Sequence, residues 1–252
     1  MSSANSLDAE KSFTEPARDD ILRLWRAFAP LDMSVRARVL RQGLISATAR
    51  NDAFKANGEI GVVLAGCLLL RIDQSPLCAG VAGPGDLVDL GGGASGRWIA
   101  SGEIYRTSLS AFLSEAGEAG VRFLLEGADR RRRAVETRLA CAMAHNALSR
   151  VASVLLEMDA ACQGVDVPLC QSDIADMLSL RRTSVNAACQ SLRQAGAIRT
   201  VRGRTIITDR GALRAIACCP AAIKSVQSAE IADDAPVETT RRGAAAMASM
   251  EA

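Results

Sequence analysis

Residues 168–209 constrain the fold of this chain more than any other part of its sequence. Residues 171–178 have the spacing of a short helix with one apolar face, and residues 179–181 predict a turn after it. A second helix is predicted over 182–195, because its apolar residues recur at intervals of four and three: Val185, Cys189 and Leu192. The segment is therefore expected to form two short helices joined by a tight turn.

The residues after the second helix complete the pattern with a small β-hairpin. Gly196 can adopt the left-handed backbone that commonly ends a helix. Strands are predicted at 197–201 and 205–208, joined by the Arg-Gly-Arg sequence at 202–204. Two helices, a turn and a β-wing in this order indicate a winged helix-turn-helix domain.

The charge of this segment indicates double-stranded DNA as its partner. Between Met177 and Thr208 there is no acidic residue, although the window holds six arginines, at 181, 182, 193, 199, 202 and 204. A duplex presents a dense row of phosphates, so it selects clustered cations without compensating acids. The net charge of the whole chain is only +2, so the distribution of charge carries the argument.

The predicted DNA contacts lie on three elements. The first helix would cross the DNA backbone, with Gln171 and Ser172 near phosphate. The wing supplies Arg202 and Arg204. The second helix and the turn before it carry donors and acceptors for base edges and phosphates: Arg181, Arg182, Thr183, Ser184, Asn186 and Gln190.

This segment resembles the C-terminal domain of the cyclic-AMP receptor protein and anaerobic-regulator (Crp/Fnr) family. The resemblance rests on DIADMLSLRRTSVNAACQSLRQAGAI at 173–198 and RGRTIITD at 202–209. It implies that Arg182 reads a base edge. Thr183 and Ala187 stand where the family often has an acid or amide and a second Arg, so we expect a different operator sequence.

Upstream, the resemblance is weaker and extends the match to about residues 20–219. Residues 18–42 predict two short helices, and residues 44–113 predict short strands with Gly-rich turns, typical of a small antiparallel barrel or sandwich. Gly66 and the residues at 84–88 resemble the family's cyclic-nucleotide-binding β-roll. Aromatic residues are only 3% of the chain, which predicts aliphatic cores.

The expected fold class is α+β, with an antiparallel β-roll, a long dimerisation helix and a C-terminal winged helix-turn-helix. The predicted boundaries are a mobile arm at 1–17, the β-roll sensory domain at 18–113, the dimerisation helix at 114–143, the DNA-binding domain at 144–219 and a disordered tail at 220–252.

The β-roll lacks the residues that hold a cyclic nucleotide in the family. Val88-Asp89 stands where the resemblance implies a Gly-Glu pair, and a Gly-rich loop precedes Arg97. We therefore predict a degenerate pocket and regulation without a cyclic nucleotide. The effector is left open between thiol oxidation at Cys67, Cys78 or Cys141, an unknown ligand, and none, with the β-roll as a constitutive scaffold.

The long helix carries a coiled-coil seam at four–three spacing, interrupted by one charged residue: Val121, Leu125, Ala128, Arg132, Val135, Leu139 and Ala142. In the family that it resembles, such a seam joins two subunits. We therefore predict a homodimer on a palindromic operator, with RNA polymerase as a further candidate partner.

Several other classes of function are not supported by the sequence. The eight cysteines form no Cys-x-x-Cys pair, none precedes Cys67, and the single histidine, His145, is predicted to pack at a helix junction. We therefore predict no metal site, no cofactor and no enzymatic activity. No apolar run is long enough to span a membrane and no secretion signal is visible, so we expect a cytoplasmic protein with reduced thiols.

Overall fold

A computed structural model of the 252-residue chain describes residues 18–55, 58–71, 78–90, 95–162, 169–201 and 204–219. The predicted arm at 1–17 and the predicted tail at 220–252 lie outside these described residues. Along the chain, helices α1 and α2 come first, followed by strands β1 to β6. Helices α3 to α6 come next, then strands β7 and β8, and last helix α7. This is the predicted α+β class, with the strands of the first half followed by mainly helical structure.

Two helices and a six-stranded antiparallel sheet form the first half of the molecule. Their bounds are α1 Arg18–Ala27, α2 Met33–Gln42, β1 Leu44–Thr48, β2 Ala53–Lys55, β3 Glu59–Arg71, β4 Cys78–Ala82, β5 Leu87–Leu90 and β6 Ser95–Ser108. The central strands are β3 and β6, which pair with one another along most of their length. Strands β1 and β2 pair with β6, and β4 and β5 pair with β3.

The pairing of β3 with β6 depends on a glycine at its irregular centre. Gly66 has φ +85, and a Cβ placed there would lie 2.6 Å from the carbonyl oxygen of Ser101. Register shifts occur between Val63 and Ala65 and between Ala65 and Cys67. The backbone therefore approaches its partner at Gly66 more closely than any other residue would permit.

The first half has an aromatic cluster that the composition did not predict. Phe28 packs with its ring centroid 6.2 Å from Tyr105, 6.0 Å from Phe112 and 5.6 Å from Phe123. All four side chains are buried, and the Tyr105 hydroxyl donates to the carbonyl of Val39 at 2.7 Å. The expectation of aliphatic cores was wrong here, because Phe28, directly after α1, packs with aromatic residues of β6 and α3.

A 36-residue helix, α3 Leu109–Ala144, follows the sheet and contacts β3, β4, β5 and β6. It begins five residues earlier than predicted, since the Ser108 side chain caps it by accepting from the N–H of Ala111. Gly117 has non-helical angles, φ 53 and ψ −136, so the helix is kinked at that residue. The predicted seam lies entirely after the kink.

The second half contains four helices and a two-stranded hairpin. Their bounds are α4 Ala147–Ala161, α5 Gln171–Leu178, α6 Arg182–Gln194, β7 Ile198–Val201, β8 Arg204–Ile207 and α7 Arg210–Ile216. Gly196 has φ +72, which confirms the left-handed residue expected after the second helix of the motif. No helix in the described ranges is both long and apolar enough to cross a membrane.

The two halves share one hydrophobic cluster. Side chains of the sheet, Cys67, Leu69, Val81 and Ile99, are buried together with side chains of α4, α5, α6 and α7. Contact is close, since a Cβ on Gly83 would lie 2.4 Å from the carbonyl oxygen of Ala161. Ion pairs between Arg138 and Glu157 and between Arg97 and Asp173 also cross from the first half to the second. The β-roll and the helical half therefore pack as one body.

A half-buried acid, Asp86, lies beside this junction, in the turn between β4 and β5. Burial raises the pKa of Asp86 to about 7; the hydrogen bond from the Gly83 N–H, 2.8 Å long, opposes this rise, and the charge of Glu157 adds to it. The folded chain therefore holds this proton more tightly than the unfolded chain, whose carboxyl has a pKa of about 3.9. The stability that this group contributes is fully present below pH 4 and is lost as the pH rises through about 7.

Asp86→Asn should remove this pH dependence while keeping a side-chain oxygen for Gly83. Between pH 5 and pH 8, the wild-type protein should lose on the order of 1–3 kcal/mol of unfolding free energy relative to the variant. Urea unfolding of both proteins at the two pH values and equal concentration measures the difference. Parallel pH dependence in the two proteins would show that Asp86 titrates normally.

Candidate nucleic-acid interface

The helix-turn-helix is set by local backbone geometry close to the sequence prediction. Helix α5 spans the predicted residues 171–178, and α6 begins at the predicted Arg182. Between them, Ser179 adopts a left-handed backbone with φ 51 and ψ 43, which reverses the chain. The Leu180 N–H donates to the carbonyl of Ala175 at 3.0 Å, so the end of α5 is hydrogen-bonded in the turn.

Helix α6 divides into a buried face and an exposed polar face. Val185, Ala188, Cys189 and Leu192 are buried in the shared core. On the opposite side, Arg182, Thr183, Asn186 and Gln190 are all exposed. Because residues four apart lie on one side of a helix, three of these form a continuous row: Arg182, Asn186 and Gln190. This row presents cationic and amide groups that can donate to or accept from base edges.

The arginines around this face carry uncompensated charge. In the part of the chain that the structure describes, no ion pair involves the five described arginines of the acid-free window: Arg181, Arg182, Arg193, Arg199 and Arg204. All five side chains are exposed. The surface therefore has the electrostatic character that polyphosphate backbones select.

The wing places two of these arginines on a short hairpin. Strands β7 and β8 pair antiparallel, with Arg199 opposite Ile206 and Val201 opposite Arg204. The hairpin is joined to the helices through the N–H of Thr205, which donates to the carbonyl of Leu169 at 3.1 Å. Arg202, predicted to contact DNA, lies outside the described residues.

The remaining predicted contacts are less accessible. Gln171, Ser172 and Ser184 are half-buried. The Ser172 hydroxyl lies 2.7 Å from the Cys170 sulfur, so it already has a partner in the free protein. Ser184 lies beside the exposed row on α6, and Gln171 and Ser172 form the first turn of α5, where backbone N–H groups also point outward.

An acid at the start of α5, Asp173, makes structural contacts that the sequence did not predict. Asp173 accepts from the Cys170 N–H at 3.1 Å and from Arg97 of β6 at 3.0 Å. Burial pushes the pKa of Asp173 up, but hydrogen bonds from Cys170 and Arg97 outweigh it and hold that pKa below its usual value. An acid three residues after the cap position is the spacing of a capping box, which could have indicated its role.

The predicted seam of α3 is mostly exposed in the single chain. Val121, Leu125 and Leu139 are 47%, 66% and 58% exposed, and Ala128 and Ala142 are also at the surface. Arg132 pairs within its own helix with Asp129 at 2.8 Å and with Glu136. Val135 differs, because it is half-buried against the core of the β-roll. Met143, 87% exposed, extends the apolar face beyond the predicted residues.

His145 does not have the predicted packing role. It follows the last residue of α3, as expected, but it is exposed, and its Nε2 lies 3.2 Å from the sulfur of Cys219. Among the cysteines, Cys67, Cys162, Cys189 and Cys218 are buried and the other four are half-buried; all eight are free. The sequence did not predict this contact, because His145 and Cys219 are 74 positions apart.

A sequence comparison finds a known domain in the second half. The sequence model of the Crp-like helix-turn-helix domain matches residues 149–216, which include α5, α6, both wing strands and α7. A search of curated proteins gave no significant match to the chain.

Solved structures extend the comparison to the first half. FixK2 from Bradyrhizobium japonicum superposes with a TM-score of 0.58 and 19% identity, covering 70% of this chain and 98% of its own. A regulator of the Crp/Fnr family from Eubacterium rectale has a TM-score of 0.60 and 15% identity, covering 75% of this chain and 96% of its own. TTHB099, a CRP-family regulator from Thermus thermophilus, superposes with a TM-score of 0.56 and 20% identity, covering 69% of this chain and 97% of its own. The chain therefore shares the fold of these structures, and its residues 149–216 match the Crp-like helix-turn-helix domain.

Proposed function

We propose that this protein is a homodimeric transcription regulator that binds a palindromic DNA operator through α6 and works without cyclic-nucleotide control. The observation that carries the proposal is the exposed row Arg182, Asn186 and Gln190 on α6, surrounded by arginines that have no ion pair among the described residues. The similarity of this chain to solved regulators supports a binding role, and we infer no catalytic activity for the protein.

The proposed mechanism separates positioning from reading. Helix α6 enters the major groove, and its exposed row meets base edges; an Arg is suited to guanine and Asn or Gln to adenine. Arg204 on the wing and the first turn of α5 lie beside the backbone and contact phosphates. Cations at phosphates fix the register of the protein on the duplex, while the side chains of α6 supply the sequence preference.

The exposed apolar face of α3 supports the dimer. Leu125 and Leu139 project large apolar surfaces into solvent, and a second copy of the same helix is self-complementary to that spacing. Arg132 is already neutralised by Asp129 and Glu136, so the charged interruption of the seam brings no bare charge to the interface. A two-fold dimer would hold two α6 helices over half-sites about one helical turn apart.

Selection of bound duplexes from a random pool by the full-length protein tests this proposal. The expected result is an inverted repeat with half-site centres about 10 base pairs apart. A triple variant with alanine at 182, 186 and 190 is the matched control, and it should enrich no motif while retaining weak general binding. Enrichment of a single unrepeated site would contradict the dimeric arrangement, and enrichment of no motif by the wild type would contradict sequence-specific recognition.

Cyclic nucleotides should not bind the β-roll. Arg97 is the third residue of β6, and its guanidinium donates to Asn51 at 2.8 Å and to Asp173 at 3.0 Å. Capture of a cyclic phosphate by Arg97 would break its contact with the DNA-binding half. Calorimetry with cyclic AMP and cyclic GMP at high micromolar concentration is expected to give no heat of binding. Saturable heat with a matching rise in operator affinity would restore ligand control by cyclic nucleotides.

Thiol oxidation at Cys67, Cys78 or Cys141 is a less favoured means of control. The hydrogen bond with Cys162 and burial raise the pKa of the Cys67 thiol well above its usual value. Burial raises the pKa of Cys78 to about 11, and burial together with Cys218 raises that of Cys141 to about 12. Since the thiolate is the reactive form, these environments do not favour a fast redox sensor. A different ligand and constitutive binding are the two alternatives that these pKa shifts leave open.

A further inference from the structure

Four side chains with metal-binding atoms meet where α3 ends. They are Cys141, His145, Cys218 and Cys219, and their ligand atoms all lie within 4.8 Å of one another. The sulfurs of Cys141 and Cys218 are 3.0 Å apart, and the sulfur of Cys219 is 3.2 Å from Nε2 of His145. Each close pair joins a residue at the end of α3 to a residue after α7. Together the two pairs form one group of three thiols and an imidazole.

Backbone contacts on both sides hold this group together. Cys141 and His145 are four residues apart, and the His145 N–H donates to the Cys141 carbonyl at 3.1 Å as α3 ends. The carbonyl of Cys218 accepts from the Ser153 hydroxyl at 2.7 Å, which ties the segment after α7 to α4. Cys219 has a left-handed backbone, φ 49, uncommon for a residue with a side chain. The two segments are therefore placed by the fold rather than by the side chains alone.

The geometry points to a zinc site formed by Cys141, His145, Cys218 and Cys219. Three thiols with one imidazole are a common structural zinc set, and soft sulfur ligands select zinc over calcium or magnesium. Two sulfurs each about 2.3 Å from zinc lie about 3.8 Å apart in a tetrahedron. The separations here, from 3.0 Å to at most 4.8 Å, bracket that distance, so small rotations of the side chains would complete the coordination.

A disulfide between Cys141 and Cys218 is the competing chemistry for the closest pair. It would use two of the four groups and give no role to His145 or Cys219, whose 3.2 Å contact lies directly beside it. Zinc uses all four. A bound ion would cross-link the end of α3 to the segment after α7. The site does not depend on whether the protein binds DNA.

Cobalt titration of the reduced, chelator-treated full-length protein tests the site. One equivalent of Co²⁺ per chain should produce thiolate-to-cobalt charge-transfer bands and the visible bands of tetrahedral cobalt, and one equivalent of Zn²⁺ should remove them. Cys141→Ala and Cys218→Ala should abolish the bands. His145→Ala and Cys219→Ala should weaken binding at least tenfold, and His145 is exposed, so its loss should leave the fold intact.

The matched control is Cys78→Ala, a half-buried cysteine outside the group, which should bind cobalt as the wild type does. Circular dichroism of each variant shows whether it is folded. Absence of thiolate bands in the wild type would overturn the site, as would bands that survive in folded His145→Ala at unchanged affinity. A Cys141–Cys218 disulfide found by peptide mapping in protein that binds no metal when reduced would assign the pair to redox chemistry instead.

Discussion

Leu125→Asp is expected to convert the protein from a dimer to a monomer and to abolish binding to its operator. The side chain is 66% exposed in the single chain, so the substitution should not disturb the fold. In a dimer it would place two carboxylates at the two-fold seam, and burying an unpaired carboxylate costs several kcal/mol. The dimer should dissociate roughly 100-fold more readily or worse. Sedimentation equilibrium at micromolar concentration measures this directly.

Leu22→Asp is the matched control, because Leu22 is a similarly exposed leucine on α1, outside the seam. It should remain dimeric and bind the operator normally. Val135 is not suitable for this experiment, since its half-buried side chain contacts the β-roll core and an acid there would destabilise the subunit itself. A wild-type monomer, or a Leu125→Asp dimer of unchanged affinity, would remove α3 from the interface.

Arg182→Ala and Arg204→Ala should weaken DNA binding in different ways. Arg182 begins the exposed row of α6, so its loss should remove a bidentate base contact worth roughly 1–3 kcal/mol on the selected operator and little on random DNA. Arg204 lies on the wing, so its loss should weaken binding to both. The slope of log affinity against log salt should fall by about one for each phosphate contact removed.

Fluorescence anisotropy with operator and scrambled duplexes, over a range of salt concentrations, separates the two effects. Arg214→Ala is the control, because this arginine is exposed on α7, which packs against α4. It should change neither specificity nor salt dependence measurably. If Arg182→Ala weakened both duplexes equally, Arg182 would be a phosphate contact and another residue of α6 would read the base.

The helix-turn-helix could be predicted almost to the residue because its signals are local. The apolar spacing of Val185, Cys189 and Leu192, the turn and Gly196 each act within a few residues, and the structure places α5 and α6 accordingly. In contrast, the start of α3 was predicted late. The strand-like residues before it gave no sign that Ser108 would cap the helix.

What the sequence could not supply were contacts between distant segments. The spacing of cysteines argued against a metal site, because structural zinc ligands usually come in close pairs. Here the chain supplies one pair at the end of α3 and the other 77 residues after Cys141, and only the packing of α7 against α4 brings them together. The ion pair between Arg97 and Asp173 could not be predicted for the same reason, because it joins β6 to α5.

The shared core limits how the protein can be divided into fragments that fold on their own. Ile99, Val81 and Leu69 of the β-roll are covered by helices of the DNA-binding half, and those helices are covered in return. A fragment limited to residues 147–219 would expose that apolar surface to water and should tend to aggregate. The two halves should therefore melt in one cooperative transition. The helix-turn-helix half could not be transplanted onto another protein without redesign of the surface that contacts the β-roll.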